Sequence, residues 1–271
     1  MADRLSPRSN SAGPREPAPT LDPPPAQRLS KRRALLELAL GYSLILIVLW
    51  TSRPWQRPLY LLAVIVIAAI VWTSFTSAQA MGLRTTNFLR SSWIAAVALL
   101  MAAVAINIAI RLHTLHPLYG PIAFLKRYWG YALWAFIQQL LLQDFFLRRL
   151  LCLLPSAGLA ALTAATIFSI AHLPSPILTL ATFTLGLAAC LLFLRYRNLY
   201  PLAIAHAILG VTLAITLPNP IIRNMRVGLG YLTYTQHDHH DHRSHIDHVV
   251  STSAWVIAEA PTLRSWRHAR P

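Results

Sequence analysis

Apolar residues run through this chain in long blocks, not in short alternations. Seven such blocks, at approximately 34–50, 58–77, 93–111, 129–154, 158–173, 177–195 and 200–217, are separated by short polar or proline-bearing stretches. A helix that crosses a membrane needs about 20 predominantly apolar residues, because the hydrocarbon core is about 30 Å thick and each helical residue rises about 1.5 Å. No block alternates with the period of two that a barrel strand requires, and lipid tolerates no unpaired backbone, so the seven blocks are expected to be helices. The fold class that follows is all-α: a polytopic transmembrane helical bundle of seven or eight spans.

Polar stretches divide the chain. Residues 1–33 are rich in Pro, Ser and Arg and lack clustered apolar side chains, so they are expected to be a disordered basic tail. Residues 34–111 hold three N-terminal spans. The stretch from Leu112 to Phe124, with Pro117, Gly120 and Pro121, separates them from four further blocks within residues 126–217. Residues 218–271 form a polar C-terminal tail with the string HDHHDHRSHIDH from His237 to His248.

Composition agrees with the block pattern. The 271 residues are 55% hydrophobic and 12% charged, with a mean hydropathy of +0.48, which excludes an ordinary soluble domain. The net charge of +15 raises the question of nucleic acid, but the basic residues sit at helix ends and in the tails, not on one continuous face, so no nucleic-acid partner is expected. Seven basic residues from Arg4 to Arg33 precede the first block, which favours a cytoplasmic N-terminus on the inner side of the cytoplasmic membrane. Cys152 and Cys190 lie in apolar blocks without ligand or disulfide spacing and are read as small core residues.

Ionisable and amide side chains inside spanning helices are costly, about 2.5 to 3.5 kcal/mol per charge on insertion scales, so each calls for a reason. Here they cluster. The string FIQQLLLQDFFLRRLL carries Gln138, Gln139, Gln143, Asp144, Arg148 and Arg149, FSIAHLP carries His172, and PLAIAHAILG carries His206. Asp144 is the one carboxylate between Glu37 and Asp238. Counting residues from the shared turn puts Gln143 and His172 level within one helical turn, with His206 offset from both.

These residues carry a family resemblance. From about Tyr131 to Leu217 the chain resembles the core of the CPBP family of intramembrane proteases, which includes the type II CAAX prenyl endopeptidases. Their signature is Glu-Glu-x-x-x-Arg, Phe-x-x-x-His and His-x-x-x-Asn on three separate helices. Gln143, Asp144 and Arg148 stand at the first pattern, Phe168 and His172 at the second, and His206 with Gly210 at the third. The resemblance implies peptide-bond hydrolysis near the membrane surface on a membrane-associated peptide or protein. It further implies that the first acid and the first histidine activate water, while the second histidine and the Asn hold the oxyanion. The chain departs from the pattern twice: an amide, Gln143, stands at the base position, and Gly210 has no donor side chain.

Two readings of function therefore stand side by side. One is an endopeptidase with Gln143, Asp144, Arg148, His172 and His206 as site residues. The other is a non-catalytic member of the same fold that binds or protects a membrane partner. A third, a transporter or metal-handling protein, draws on the histidines. A divalent metal such as zinc is a candidate at His172 and His206, or at His237, His239, His240, His242, His245 and His248 in the tail. Structural alternatives accompany each site residue: an ion pair of Asp144 with Arg148 at i and i+4, an interfacial His172, a core His206, a close-packing Gly210, and Gln138 and Gln139 as hydrogen-bonding links between helices.

Overall fold

A computed structural model describes residues 29–116 and 120–234. The His-rich string and the first 28 residues lie outside the described residues, so the expectations for both tails stand as sequence readings.

Among the described residues the chain is helical throughout, with no strand. Helices α1 (Lys31–Leu49), α2 (Arg53–Thr73), a short α3 (Phe88–Ser91) and α4 (Trp93–Arg111) precede the proline-bearing stretch. Then α5 (Pro121–Leu140) runs through a π-helical segment (Leu141–Leu147) into α6 (Arg148–Leu153), with right-handed helical backbone at both junctions. Helices α7 (Ala157–Ile170), α8 (Pro176–Tyr196) and α9 (Leu199–Thr216) complete the core, followed by the single-turn helices α10 (Asn219–Ile222) and α11 (Leu229–Leu232).

Every apolar block thus falls on a helix, yet among the described residues four helices are each long and apolar enough to cross a membrane: Arg53–Thr73, Phe88–Arg111, Pro176–Tyr196 and Leu199–Thr216. The others fall short for visible reasons. Helix α1 opens on Lys31, Arg32 and Arg33 and carries Glu37, α5 carries Lys126 and Arg127 with two glutamines, and α7 has only 14 residues. The four long helices turn bulky apolar side chains outward, among them Leu61, Ile65 and Trp72 on α2 and Leu99, Leu100 and Val104 on α4. Such a surface is stable against acyl chains, not against water. The protein is an integral membrane protein.

The buried centre forms where α1, α7, α8 and α9 meet the π-helical segment. Leu142, Phe145, Phe146 and Leu147 are packed among Ala160, Ala161 and Ala164 of α7, Cys190 and Phe193 of α8, and Leu199 and Leu202 of α9. Small residues on α7 let its backbone approach closely, the usual means of packing where lipid removes the hydrophobic drive between helices. Helix α9 packs on both α4 and α5. Its start is fixed by Asn198, whose Oδ1 accepts from the Tyr200 N–H at 3.1 Å while its Nδ2 donates to Asn87 Oδ1 at 2.8 Å. The turn before α9 therefore sets the depth at which His206 enters the bundle.

Candidate functional site

The π-helical segment decides how the polar residues are presented. Its bonds run from i+5 to i, as in Arg148 N–H to Gln143 C=O, so the turn is wider than an α-turn and the register of side chains shifts by one. Single π-turns inside α-helices are frequent at functional sites. Here the wide turn carries Gln143 and Asp144, both buried, at 1% and 4% exposure.

Arg149, not Arg148, sits one wide turn below Asp144. Its guanidinium is fully buried and donates from Nη1 to the carbonyls of Asp144 and Phe145, both at 3.1 Å. Nη2 donates to Ser74 Oγ at 3.2 Å, and Nε donates to Glu37 Oε2 at 2.9 Å. The guanidinium also lies 4.4 Å from the Phe145 ring centroid. Glu37 is shared with Arg33 at 2.7 Å. A buried ion pair between α1 and α6 thereby holds the carbonyls that the wide turn leaves exposed. The sequence offers Arg148 as a site residue and as the i, i+4 partner of Asp144, and gives Arg149 and Glu37 no role. A carboxylate on one apolar block and a doubled arginine on another were the available signal.

Asp144 is set among arginines. It shares a cavity of about 190 Å³ with Gln143, Arg148, Arg197, Ala80 and Phe193, and the charged groups acting on it are Arg148, Arg197 and Arg149. Its Oδ2 has no hydrogen-bond partner. Among the described residues no ion pair within 4.0 Å joins Asp144 to Arg148, because the wide turn places i+5, not i+4, beneath it.

Gln143 lines the same cavity and also reaches the histidine side. Its Nε2 donates to Gln139 Oε1 at 3.2 Å, and Gln139 Nε2 reaches His206 Nδ1 at 3.1 Å. Two amides thus bridge the depth offset between Gln143 and His206 that the residue count left open. Gln139 is the expected link between helices, whereas no hydrogen bond of Gln138 occurs among the described residues. The Gln143 Oε1 atom is buried without a hydrogen-bond partner, with the fully buried Cys190 thiol alongside.

Both imidazoles pack against one ring. Phe168 lies 5.0 Å from His172 and 6.4 Å from His206, centroid to centroid, which caps the separation of the two histidines below 12 Å. His172 Nδ1 is 2.9 Å from the Phe168 carbonyl. A carbonyl can only accept, so in the neutral ring Nδ1 carries the hydrogen and Nε2 keeps its lone pair. The opposite tautomer follows at His206, where Nδ1 faces the donating amide of Gln139 and Nε2 carries the hydrogen. One imidazole presents an acceptor and its neighbour a donor.

Gly210, one turn beyond His206, is in contact with the Tyr131 phenol of α5, so closely that a Cβ there would overlap the phenol oxygen. Close packing is thus what Gly210 does structurally. The donor set does not fit a metal ion. Two imidazoles pack against an aromatic ring, the nearby amides are poor ligands, the charged groups acting on Asp144 are arginines, and no group of three or more His, Cys, Asp or Glu gathers among the described residues.

Comparison with known proteins now bears on this geometry. Residues 123–212, which include Gln143, Asp144, His172 and His206, match the family model described as type II CAAX prenyl endopeptidase Rce1-like. That segment is CPBP-like. The match covers a third of the chain and begins in α5, so α1 to α4 and the tail lie outside it. No curated protein matches the chain, and neither does any solved structure. At family level the chain is a CAAX-protease-like membrane protein.

Proposed function

We propose that this protein is an intramembrane endopeptidase of the CAAX prenyl protease type in which an imidazole, not a carboxylate, serves as the base. One observation carries the reading: His172 and His206 both pack against Phe168, with His172 Nδ1 on the Phe168 carbonyl and His206 Nδ1 on the Gln139 amide. A water held by the His172 Nε2 lone pair gives its proton to that nitrogen as its oxygen adds to the scissile carbonyl carbon. The carbonyl electron pair moves onto oxygen, where His206 Nε2–H donates to it. Collapse of the intermediate breaks the C–N bond, and the proton on His172 passes to the leaving amine.

Gln143 cannot abstract a proton, but its unpartnered Oε1 is an acceptor that can orient the attacking water. Asp144 belongs in this scheme to the cavity with Arg148 and Arg197, not to the reacting atoms. A hydrophobic substrate segment enters from the bilayer, and the arginines fix its polar end. The seven helices drawn from the apolar blocks are proposed as spans of the cytoplasmic membrane, with α7 crossing short and the N-terminus on the cytoplasmic side, as the basic leader before α1 favours.

A second reading rests on a specific feature: an amide stands where the base would be, and Asp144 is set among arginines. On that reading the bundle binds or shelters a membrane partner without cleaving it. The deciding assay uses purified protein in lipid nanodiscs with a fluorogenic peptide ending in a farnesylated Cys followed by three apolar or polar residues. Cleavage by the wild type, lost on His172→Ala with folding intact, supports the peptidase. A silent wild type, or equal cleavage by His172→Ala, refutes it and leaves the binding reading.

A further inference from the structure

We infer that Tyr131 is a catalytic residue whose phenol O–H supplies the second hydrogen bond to the oxyanion. The inference rests on the peptidase reading above. The pattern at the third motif lacks a donor, since Gly210 offers only backbone, and backbone N–H groups inside α9 are committed to the helix. The structure fills that gap from another helix. Tyr131 comes from α5 and its phenol oxygen occupies the space that any side chain at position 210 would take, one helical turn from His206 on the same face of α9.

Three observations favour a chemical role over packing alone. Helix α5 meets α9 at two levels, through Gln139 at the His206 Nδ1 atom and through Tyr131 at Gly210, so one helix both bonds the His206 ring and places a phenol at the position one α9 turn from it. Among the described residues Tyr131 Oη makes no hydrogen bond, although a phenol in an apolar bundle ordinarily finds a partner. Position 210 is also glycine, and a single methyl there would overlap the phenol oxygen and displace the ring. The glycine and the tyrosine therefore make sense as one exchange: the side chain removed from α9 makes room for a donor from α5. In the addition step the phenol keeps its proton and donates it to the developing alkoxide, alongside His206 Nε2–H, so no proton is gained or lost there.

The test is Tyr131→Phe, which removes one oxygen and leaves the ring against Gly210. With the farnesylated fluorogenic peptide in nanodiscs, kcat should fall by about 100- to 1,000-fold, the usual effect of losing one oxyanion donor, with KM within about twofold of wild type. The thermal midpoint should stay within about 2 °C of wild type, since the ring remains in place. An active wild type with kcat of Tyr131→Phe within about threefold overturns this inference alone, as does a loss that appears in KM and thermal midpoint with kcat retained. A silent wild type overturns the peptidase reading first and this inference with it.

Discussion

Replacing Glu37 by Leu should lower the stability of the bundle more than any other single change among its polar residues. The carboxylate is 11% exposed and holds the buried guanidinium of Arg149 through contacts of 2.9 Å from both Nε and Nη2. Once it is gone, Arg149 retains two carbonyls, Ser74 and the Phe145 ring, but a fully buried cation is left without a counter-charge. Breaking a buried pair in this way costs about 3 to 5 kcal/mol. For a domain of this size that corresponds to roughly 6 to 20 °C in thermal midpoint. Arg149→Met should cost less, because Glu37 keeps Arg33 at 2.7 Å as a partner. The Glu37→Leu, Arg149→Met double variant should be more stable than Glu37→Leu alone, since it buries no unpaired charge. Cys190 provides the assay: its thiol is fully buried, so in a Cys152→Ser background a thiol-reactive dye reports unfolding as the nanodisc sample is heated. A midpoint shift below about 2 °C for Glu37→Leu, or a double variant whose loss equals or exceeds the sum of the single losses, would falsify the role given to the pair.

Further outcomes follow from individual contacts. Gly41→Ala places a methyl inside the Phe145 ring and should cost about 1 to 3 kcal/mol, recovered by Phe145→Leu; an unshifted midpoint speaks against so close an approach of α1 to the π-turn. Asn198→Ala removes the cap of α9 and the tie to Asn87, for a loss of about 1 to 2 kcal/mol in the same thermal assay, and no loss would mean the cap does not set the start of α9. Gln139→Leu frees the His206 ring from its amide and should reduce peptide turnover about tenfold, equivalent to about 1.4 kcal/mol, with unchanged turnover counting against the tautomer assignment. Asp144→Asn should leave kcat within about threefold, because the groups around it are arginines, not imidazoles; a hundredfold loss would restore it as the base.

Much of this architecture is legible in the pattern of residues, and the reasons for the remainder are local. Apolar blocks locate helices well because lipid leaves the backbone no alternative. They locate spans less well, since α1 and α7 are helices whose charge or length, taken alone, falls short of a crossing. The order Gln143, His172, His206 across three helices was readable, and those helices do converge on Phe168 and Gln139. The π-turn was not. LLQDFFL has the apolar profile of an ordinary helical segment, and its extra width comes from contacts that no local pattern encodes: Arg149 satisfying its carbonyls and Phe145 pressed against Gly41. With that turn unseen, Arg148 took the place beneath Asp144 that belongs to Arg149. Tyr131 was missed for a related reason, because a tyrosine on an apolar helix signals nothing until its neighbour is known to be a glycine.

The wide turn also accounts for why two adjacent polar residues can serve different ends. On a regular helix Gln143 and Asp144 lie about 100° apart, and an ion pair to the residue four positions on would hold the carboxylate along the helix surface. Shifting the register by one carries Arg148 away from that position and puts a buried arginine there, whose donors are spent on main-chain carbonyls and Glu37. The Asp144 carboxylate is thereby left unpartnered at Oδ2 in the arginine-lined cavity, while the Gln143 amide is committed to the histidine side through Gln139. A substrate whose polar end is held by Arg148 and Arg197 would then lie alongside the helix that carries the amide bridge to His206. If instead the turn straightened into an α-helix, both residues would rotate together and the separation of binding from chemistry would be lost. Arg149 is what prevents that, so the strut from α1 is as much a part of the site as the imidazoles it never touches.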